Sequence, residues 1–309
     1  MHVDTEFVYT LEHLRNWADY CPREDTALAV IGHPIAHSLS PVMHNAALAE
    51  LAKANPKFSK WRYFKFDIAP EELKEALDLF HQKNFLGLNL TVPHKMLALD
   101  YIFIVAATVD DVGAANTLKF IGNRWHGSNT DGYGLRLALE DQSAPIAGAD
   151  VILLGAGGAA RAAALECLVG QCASLRIQNR TRSTIDGLIS HLKKSTACTS
   201  VTELMPFDPE DRALAADSIV INATSLGLKP RDESPLDLTK VPRPKFVFDM
   251  VYRPAQTALL RQATEMKIPN ANGLSMLVHQ GAASLEIWTG EKAPVEIMHR
   301  AVRAALSSS

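Results

Sequence analysis

The apolar run Val151–Leu154 leads directly into Gly155-Ala156-Gly157-Gly158-Ala159-Ala160, and an alanine-rich helical stretch follows. This strand, glycine turn and helix start constrains the fold more than any other feature of the chain. Glycines let the backbone turn tightly and approach a pyrophosphate, which then sits on free N–H groups at the positive end of the helix. The G-x-G-x-x-A pattern alone is weak, because Ala- and Gly-rich helix starts are common. Its place between strand and helix favours a dinucleotide site over a plain turn. Gly155, Ala156, Gly157, Gly158 and Ala159 are then the residues that meet the cofactor. An NAD site usually carries an acid about 20 residues further on, for the adenosine ribose. Here the next strand ends in Gln178-Asn179-Arg180-Thr181-Arg182, with no acid until Asp186. Two arginines between small polar groups suit a 2′-phosphate, and hence NADP. The alternative is that Arg180 and Arg182 are solvated loop charges.

The rest of the chain alternates strand and helix patterns in the same way. Ala27–Ile31, Trp61–Ile68 and Leu86–Val92 read as strands, the last with Asn89 and Thr91 on one face. Asn116–Ile121, Gly122-Asn123 and Arg124–Gly127 read as a hairpin. Helices are expected from Ser40-Pro41, with Ser40 as cap, from Pro70, over 132–140, from Ala159, and over 274–288 and 294–306. Leu175–Gln178, Ser218–Asn222 and Phe246–Asp249 are further short strands. This predicts an α/β fold with mainly parallel sheets covered by helices. The 309 residues are long for one core and comfortable for two domains. Before Ala27 stands a prefix with one short helix capped by Thr10 and carrying Leu11, Leu14 and Trp17 on one side.

Composition narrows the class of function. A net charge of −3 offers no general attraction to nucleic acid or anionic lipid, so any bound anion must be held by local groups. No apolar run approaches the roughly 20 residues of a membrane span. Residues 1–25 carry charges throughout, unlike a signal peptide. Cys21, Cys167, Cys172 and Cys198 form no C-x-x-C pair and read as reduced thiols, so a cytoplasmic location is expected.

Further segments carry possible chemistry. In Gly32-His33-Pro34-Ile35-Ala36-His37-Ser38-Leu39-Ser40-Pro41, two hydroxyls precede a helix start, a favourable place for a carboxylate. Read singly, Ser40 as cap and Ser38 as a loop residue explain them better. His33, His37 and His44 fit no zinc spacing, and no metal is expected. Asn89-Leu90-Thr91-Val92-Pro93-His94-Lys95 ends in a lysine at a helix start, where the helix dipole disfavours it and another use for its charge is hinted at. Asn116-Thr117 and Ser128-Asn129-Thr130-Asp131-Gly132 are, alone, as compatible with turns and caps as with catalysis.

Taken together and in order, these segments resemble the shikimate dehydrogenase family. The likeness rests on G-H-P-I-A-H-S-L-S-P-V-M-H-N, N-L-T-V-P-H-K, A-A-N-T-L, N-T-D-G, G-A-G-G-A-A-R, N-R-T, I-N-A-T-S-L-G, D-M-V-Y and N-G-L-S-M-L-V-H-Q, from about residue 27 to the C-terminus. The resemblance implies reversible, NADPH-dependent reduction of 3-dehydroshikimate to shikimate, in aromatic amino acid biosynthesis. It implies Lys95 and Asp131 as the catalytic pair, and Ser38 and Ser40 on the substrate carboxylate. Asn89, Thr91, Asn116, Tyr252 and Gln280 would line the substrate site. Gly155, Gly157 and Gly158 would meet the pyrophosphate, and Asn179, Arg180, Thr181 and Arg182 the adenosine phosphate, with Thr224 and Met250 completing the cofactor site. It also implies a substrate domain of residues 27–130 and 272–309, an inserted Rossmann-like NADP domain of 131–271, and an extension of 1–26 outside the likeness. A small-molecule partner and a monomer or homodimer follow. Thr184 stands where the family often has another basic residue, and Ala115 where Val is more usual.

Ketone reduction delivers a hydride to carbon and a proton to oxygen. A positioned lysine stabilises the charge developing on that oxygen and supplies the proton, and a neighbouring aspartate orients it. Three rivals share these features in part: a quinate dehydrogenase using NAD, a non-catalytic NADP- or ligand-binding regulator, and another two-domain NADP enzyme such as a methylene-folate dehydrogenase. Ser40 and Arg180 favour shikimate and NADP over the first, and Lys95 with Asp131 argues against the second. The paired serines have no reason in the third.

Overall fold

A computed structural model describes residues 3–22, 24–104, 107–195, 198, 203–208, 217–229 and 231–307. They fall in two compact units, 1–130 with 280–309, and 131–279.

In the first unit the alternation of Trp61–Asp67 sends Phe64 and Phe66 into the main core and leaves Tyr63 and Lys65 on the opposite face. The elements run β1 Val8–Thr10, α1 Leu11–Arg15, β2 Thr26–Gly32, α2 Ser40–Ala54, β3 Trp61–Asp67, α3 Leu73–Gln82, β4 Phe85–Leu90, α4 His94–Leu97, β5 Phe103–Ile104, α5 Ala107–Val112, β6 Thr117–Ile121 and β7 Arg124–Ser128. Among the described residues, seven strands form one sheet in the order β1-β3-β2-β4-β6-β7-β5. Its first four strands are parallel, whereas β6 runs antiparallel to both β4 and β7. Gly122 and Asn123 take φ values of 55° and 68°, the left-handed pair that a two-residue hairpin turn requires. Leu73, Leu77 and Phe80 line the buried stripe of α3, as their spacing predicts.

The prefix holds more than a helix. Thr10 precedes α1, and its N–H donates to His13 Nδ1 at 3.1 Å. Before it, Val8–Thr10 adds the strand β1, parallel to β3, which the sequence pattern is too short to announce. Tyr9, Leu11, Leu14 and Trp17 all lie in the main core, with Trp17 edge-on to Phe64 at 4.9 Å.

The second unit contains α6 Asp131–Glu140, β8 Asp150–Leu154, α7 Gly158–Val169, β9 Ser174–Gln178, α8 Arg182–Leu192, β10 Glu203–Pro206, β11 Ile219–Asn222, β12 Phe246–Asp249, α9 Ala258–Glu265 and β13 Asn270–Asn272. Six strands, among those described, form a wholly parallel sheet in the order β10-β9-β8-β11-β12-β13. Helices α10 Leu274–Thr289 and α11 Val295–Ser307 end the chain, and α11 packs on α2. No helix among the described residues is long and apolar enough to cross a membrane.

The burial of Trp17 makes a prediction about the prefix. Trp17→Ala is expected to cost about 3–5 kcal/mol in urea unfolding, as for other buried aromatics truncated to alanine. A cost below about 1 kcal/mol would mean that the prefix is detachable from the first unit.

Candidate active site

In the first unit, the ends of β2 and β4 are joined beyond the strands themselves. The Thr91 N–H donates to the Ile31 carbonyl, and the His33 N–H to the Val92 carbonyl, each at 3.0 Å. Gly32 makes this approach possible, since a Cβ there would stand 2.4 Å from Thr91 Cγ2. The loop of residues 33–39 therefore starts beside the turn that carries Lys95. That loop folds back through Ser38 N–H to the Ile35 carbonyl at 3.0 Å, and α2 begins at Ser40. Here the structure corrects the capping assignment. Ser40 is the first helical residue, and its N–H donates to the Ser38 hydroxyl at 3.3 Å. Ser38 thus serves the helix start that the pattern S-P had assigned to Ser40.

Asn89, at the end of β4, is buried in a polar network. Its Oδ1 accepts from the Tyr63 hydroxyl at 2.7 Å, and its Nδ2 donates to the Asn116 carbonyl, Thr117 Oγ1 and Ser284 Oγ at 3.0–3.2 Å. Asn116 Nδ2 donates to Thr130 Oγ1 at 2.8 Å and to Gln280 Oε1 at 3.2 Å, while its Oδ1 accepts from the Thr130 N–H. Asn89, Asn116 and Gln280, far apart in sequence, are thereby brought together. Thr117 and Thr130 stand in segments the sequence singles out, without a role assigned to them, whereas Tyr63 and Ser284 were missed altogether. Ser284 left one signal, a lone hydroxyl one helical turn after Gln280 in an apolar stretch.

Lys95 is the second residue of the four-residue α4. Its carbonyl accepts from the Ala115 N–H at 2.8 Å, which fixes the turn next to Asn116. Buried His94 secures the other side, with Nε2 bonded to the Ile68 carbonyl at 2.8 Å. Burial holds the His94 imidazole below its usual range, in keeping with a neutral anchor. Two of the three histidines weighed as metal ligands have other partners: His33 pairs with Asp67 at 2.5 Å, and His44 stacks on Tyr63 at 4.2 Å, while His37 lies exposed in the loop before α2. No group of three His, Cys, Asp or Glu residues able to hold a metal occurs among the described residues.

In the second unit, Asp131 is buried at the first position of α6. The glycine turn leaves β8 at the carboxyl edge of the parallel sheet, between the ends of β9 and β11. Gly155 has φ +113°, donates its N–H to the Gln178 carbonyl at 2.7 Å, and leaves no room for a Cβ beside the Ala223 carbonyl. Gly157 precedes α7, and a Cβ there would meet nothing within 4 Å. Open space above exposed helix N–H groups fits a pyrophosphate seated there. Ala156 belongs to the same turn, and Ala159 is the second residue of α7. Asn179, Arg180 and Thr181 link β9 to α8, with Thr181 at its cap position. Arg182 opens that helix and pairs with Asp186 at 3.0 Å, both exposed.

Thr224 and Met250 follow β11 and β12, and a buried pair knits their loops together. Asn222 Nδ2 donates to Asp249 Oδ1 at 2.9 Å, Asn222 Oδ1 accepts from Thr224, and the Met250 N–H donates to the Asn222 carbonyl. Desolvation raises the Asp249 carboxyl above its usual range, against hydrogen bonds from Thr257, Val251 and Asn222 that lower it. Tyr252 lies in the loop after β12. Asn222 and Asp249 sit inside quoted motifs, but their structural task is legible only once the strand ends are adjacent.

Comparison with known proteins agrees across the chain. Residues 30–118 match the family described as the shikimate dehydrogenase substrate binding domain, and 273–303 the shikimate 5'-dehydrogenase C-terminal domain. A shikimate dehydrogenase (NADP(+)) of Symbiobacterium thermophilum is 42% identical over 282 residues, 90% of this chain and 94% of the relative. A crystal structure of a shikimate dehydrogenase in complex with NADP+ superposes with a TM-score of 0.79 at 32% identity, covering 93% of this chain and 97% of that one. The Thermus thermophilus shikimate 5-dehydrogenase in complex with NADP(H) and shikimate gives 0.76 at 34%, covering 91% and 100%.

Both nitrogens of His44 are buried without a hydrogen-bond partner, and burial pushes its imidazole from 6.5 down to about 3. The unfolded chain therefore takes up a proton that the folded chain refuses between those two values. Stability is lost as pH falls through that window, by up to about 1.4 kcal/mol per unit. His44→Phe keeps a ring against Tyr63 and is expected to flatten the acid limb of urea unfolding followed from about pH 8 to about pH 5. An unchanged limb would mean that His44 is protonated in the folded protein.

Proposed function

The chain belongs to the shikimate dehydrogenase family, and from that premise we propose that it interconverts 3-dehydroshikimate and shikimate with NADP. The observation that carries this reading is the 42% identity to an NADP(+) shikimate dehydrogenase over 90% of this chain and 94% of that relative. It is an oxidoreductase acting on a CH–OH group. NADP, when bound, carries the hydride at its nicotinamide ring.

The remaining chemistry falls to this chain's residues. Ser38 and Ser40 hold the substrate carboxylate at the N-terminus of α2, where the helix dipole favours an anion. The Ser38 hydroxyl, already an acceptor for the Ser40 N–H, keeps its proton for that carboxylate. Asn89, Thr91, Asn116 and Gln280 bind ring hydroxyls, supported by the network that fixes the first, third and fourth against one another. Tyr252 is assigned to the substrate as well. Lys95 stabilises charge on the reacting oxygen and hands it a proton on reduction, with Asp131 orienting the ammonium. In the oxidative direction the same lysine receives the proton.

Gly155, Ala156, Gly157, Gly158 and Ala159 seat the pyrophosphate on the start of α7. Arg180, with Asn179, Thr181 and Arg182, takes the 2′-phosphate, and Thr224 and Met250 flank the nicotinamide half. Residues 27–130 and 272–309 form the substrate part, and 131–271 the nucleotide part. The enzyme works in the cytoplasm as a monomer or homodimer, a setting that suits four cysteines present as free thiols.

Two variants test these roles. Arg180→Ala is expected to weaken NADP by about 10- to 100-fold, the value of a lost charge-assisted hydrogen-bond set, while NAD kinetics barely change. Equal losses for both cofactors would remove Arg180 from the 2′-phosphate site. Lys95→Met is expected to lower kcat on the order of 10²–10³ while calorimetry still detects shikimate binding. Near-normal kcat would exclude Lys95 from proton transfer.

A further inference from the structure

Lys65 occupies the middle of β3, opposite Val30 of β2 on one side and Val8 of the prefix strand β1 on the other. The strand from the prefix turns what would be an edge lysine into an interior one, only 6% exposed. Its Nζ donates to the carbonyl of Ala36 at 3.3 Å. Its nearest carboxylate is Glu6 Oε2 at 3.8 Å, on a side chain that is 55% exposed. An ammonium has three donors, and a buried one is costly without close partners. One carbonyl and one long, solvent-screened ion pair leave most of that requirement unmet. Ala36 lies two residues before Ser38, in the turn closed by Ser38 N–H and the Ile35 carbonyl.

We infer that Lys65 is a positioning residue for the substrate carboxylate, holding the loop that carries Ser38 and supplying that loop with a buried positive charge. The bound anion completes the electrostatic environment that Glu6 completes only weakly. Preference for the acid over a neutral analogue of the same ring is the functional result. The inference rests on the carboxylate reading of Ser38 and Ser40.

The test uses full-length Lys65→Met, Lys65→Gln and Lys65→Arg, with Ser38→Ala measured in parallel. Each is assayed with NADP against shikimate, and against methyl shikimate as substrate or competitive ligand. Met and Gln should raise KM for shikimate about 10-fold or more, and Arg should restore it to within about threefold. Methyl shikimate affinity and KM for NADP should stay near their original values, which also certifies the fold. An unchanged shikimate KM in Lys65→Met overturns the inference, and so do equal rises for acid and ester. A normal KM in Lys65→Gln overturns it too, because a neutral donor to Ala36 would then suffice. If Ser38→Ala raises KM while Lys65→Met does not, the role of Lys65 alone fails. If neither moves it, the carboxylate site itself lies elsewhere.

Discussion

Two backbone hydrogen bonds at the ends of β2 and β4 organise the first unit. Thr91 to Ile31 and His33 to Val92 continue the pairing of the central parallel strands past the end of β4, the second of them past the end of β2 as well. Because of this splice, the serine loop and the lysine turn depart side by side instead of diverging. Gly32 is the steric condition for it, since any side chain there would collide with Thr91. The anchors on either side, His94 to Ile68 and Ala115 to Lys95, then hold a helix of only four residues. So short a helix has little stability of its own, and its position is owed to these tertiary bonds.

The nucleotide unit solves the same problem with side chains. Parallel strands expose their carboxyl ends on one edge, the region where α/β folds gather ligand-binding loops. Gly155 lies there between the ends of β9 and β11, and the Asn222–Asp249 pair ties the loops after β11 and β12 to each other. Asp249 is wholly buried yet meets Asn222, Val251 and Thr257, so its desolvation is offset by donors from three directions. In both units the side chains proposed to do chemistry stand on loops whose backbone is fixed by neighbouring strand ends.

Much of this was legible in the residues. Gly122-Asn123 announced its hairpin, because few residues tolerate two successive positive φ angles. Leu73, Leu77 and Phe80 announced α3 through their spacing, and the glycine turn announced the nucleotide sheet. The failures have physical causes. β1 has three residues, too few for a period to show, and its pairing with β3 is a tertiary fact. α8, α9 and β13 left no signal strong enough to be named. Ser40 looked like a cap because Ser-Pro is a common helix start, whereas the helix begins one residue earlier than that reading allows. Lys65 and Tyr63 show only as the polar half of an alternating strand, and alternation predicts solvent for such positions. Their burial arises from the prefix strand for one and from α2 for the other.

The prefix strand has one more effect, on behaviour outside the active site. The sheet of the first unit ends in three-residue β1 at one rim and two-residue β5 at the other. Its seven-residue strands, β2 and β3, lie inside. Rims this short present few unpaired amides to a passing chain. Without residues 8–10, the rim would be Trp61–Asp67, rich in aromatics and with a full row of free backbone donors and acceptors. A short N-terminal segment thus covers an edge suited to unwanted pairing, and losing it would bare that edge and uncover Lys65 in the same event.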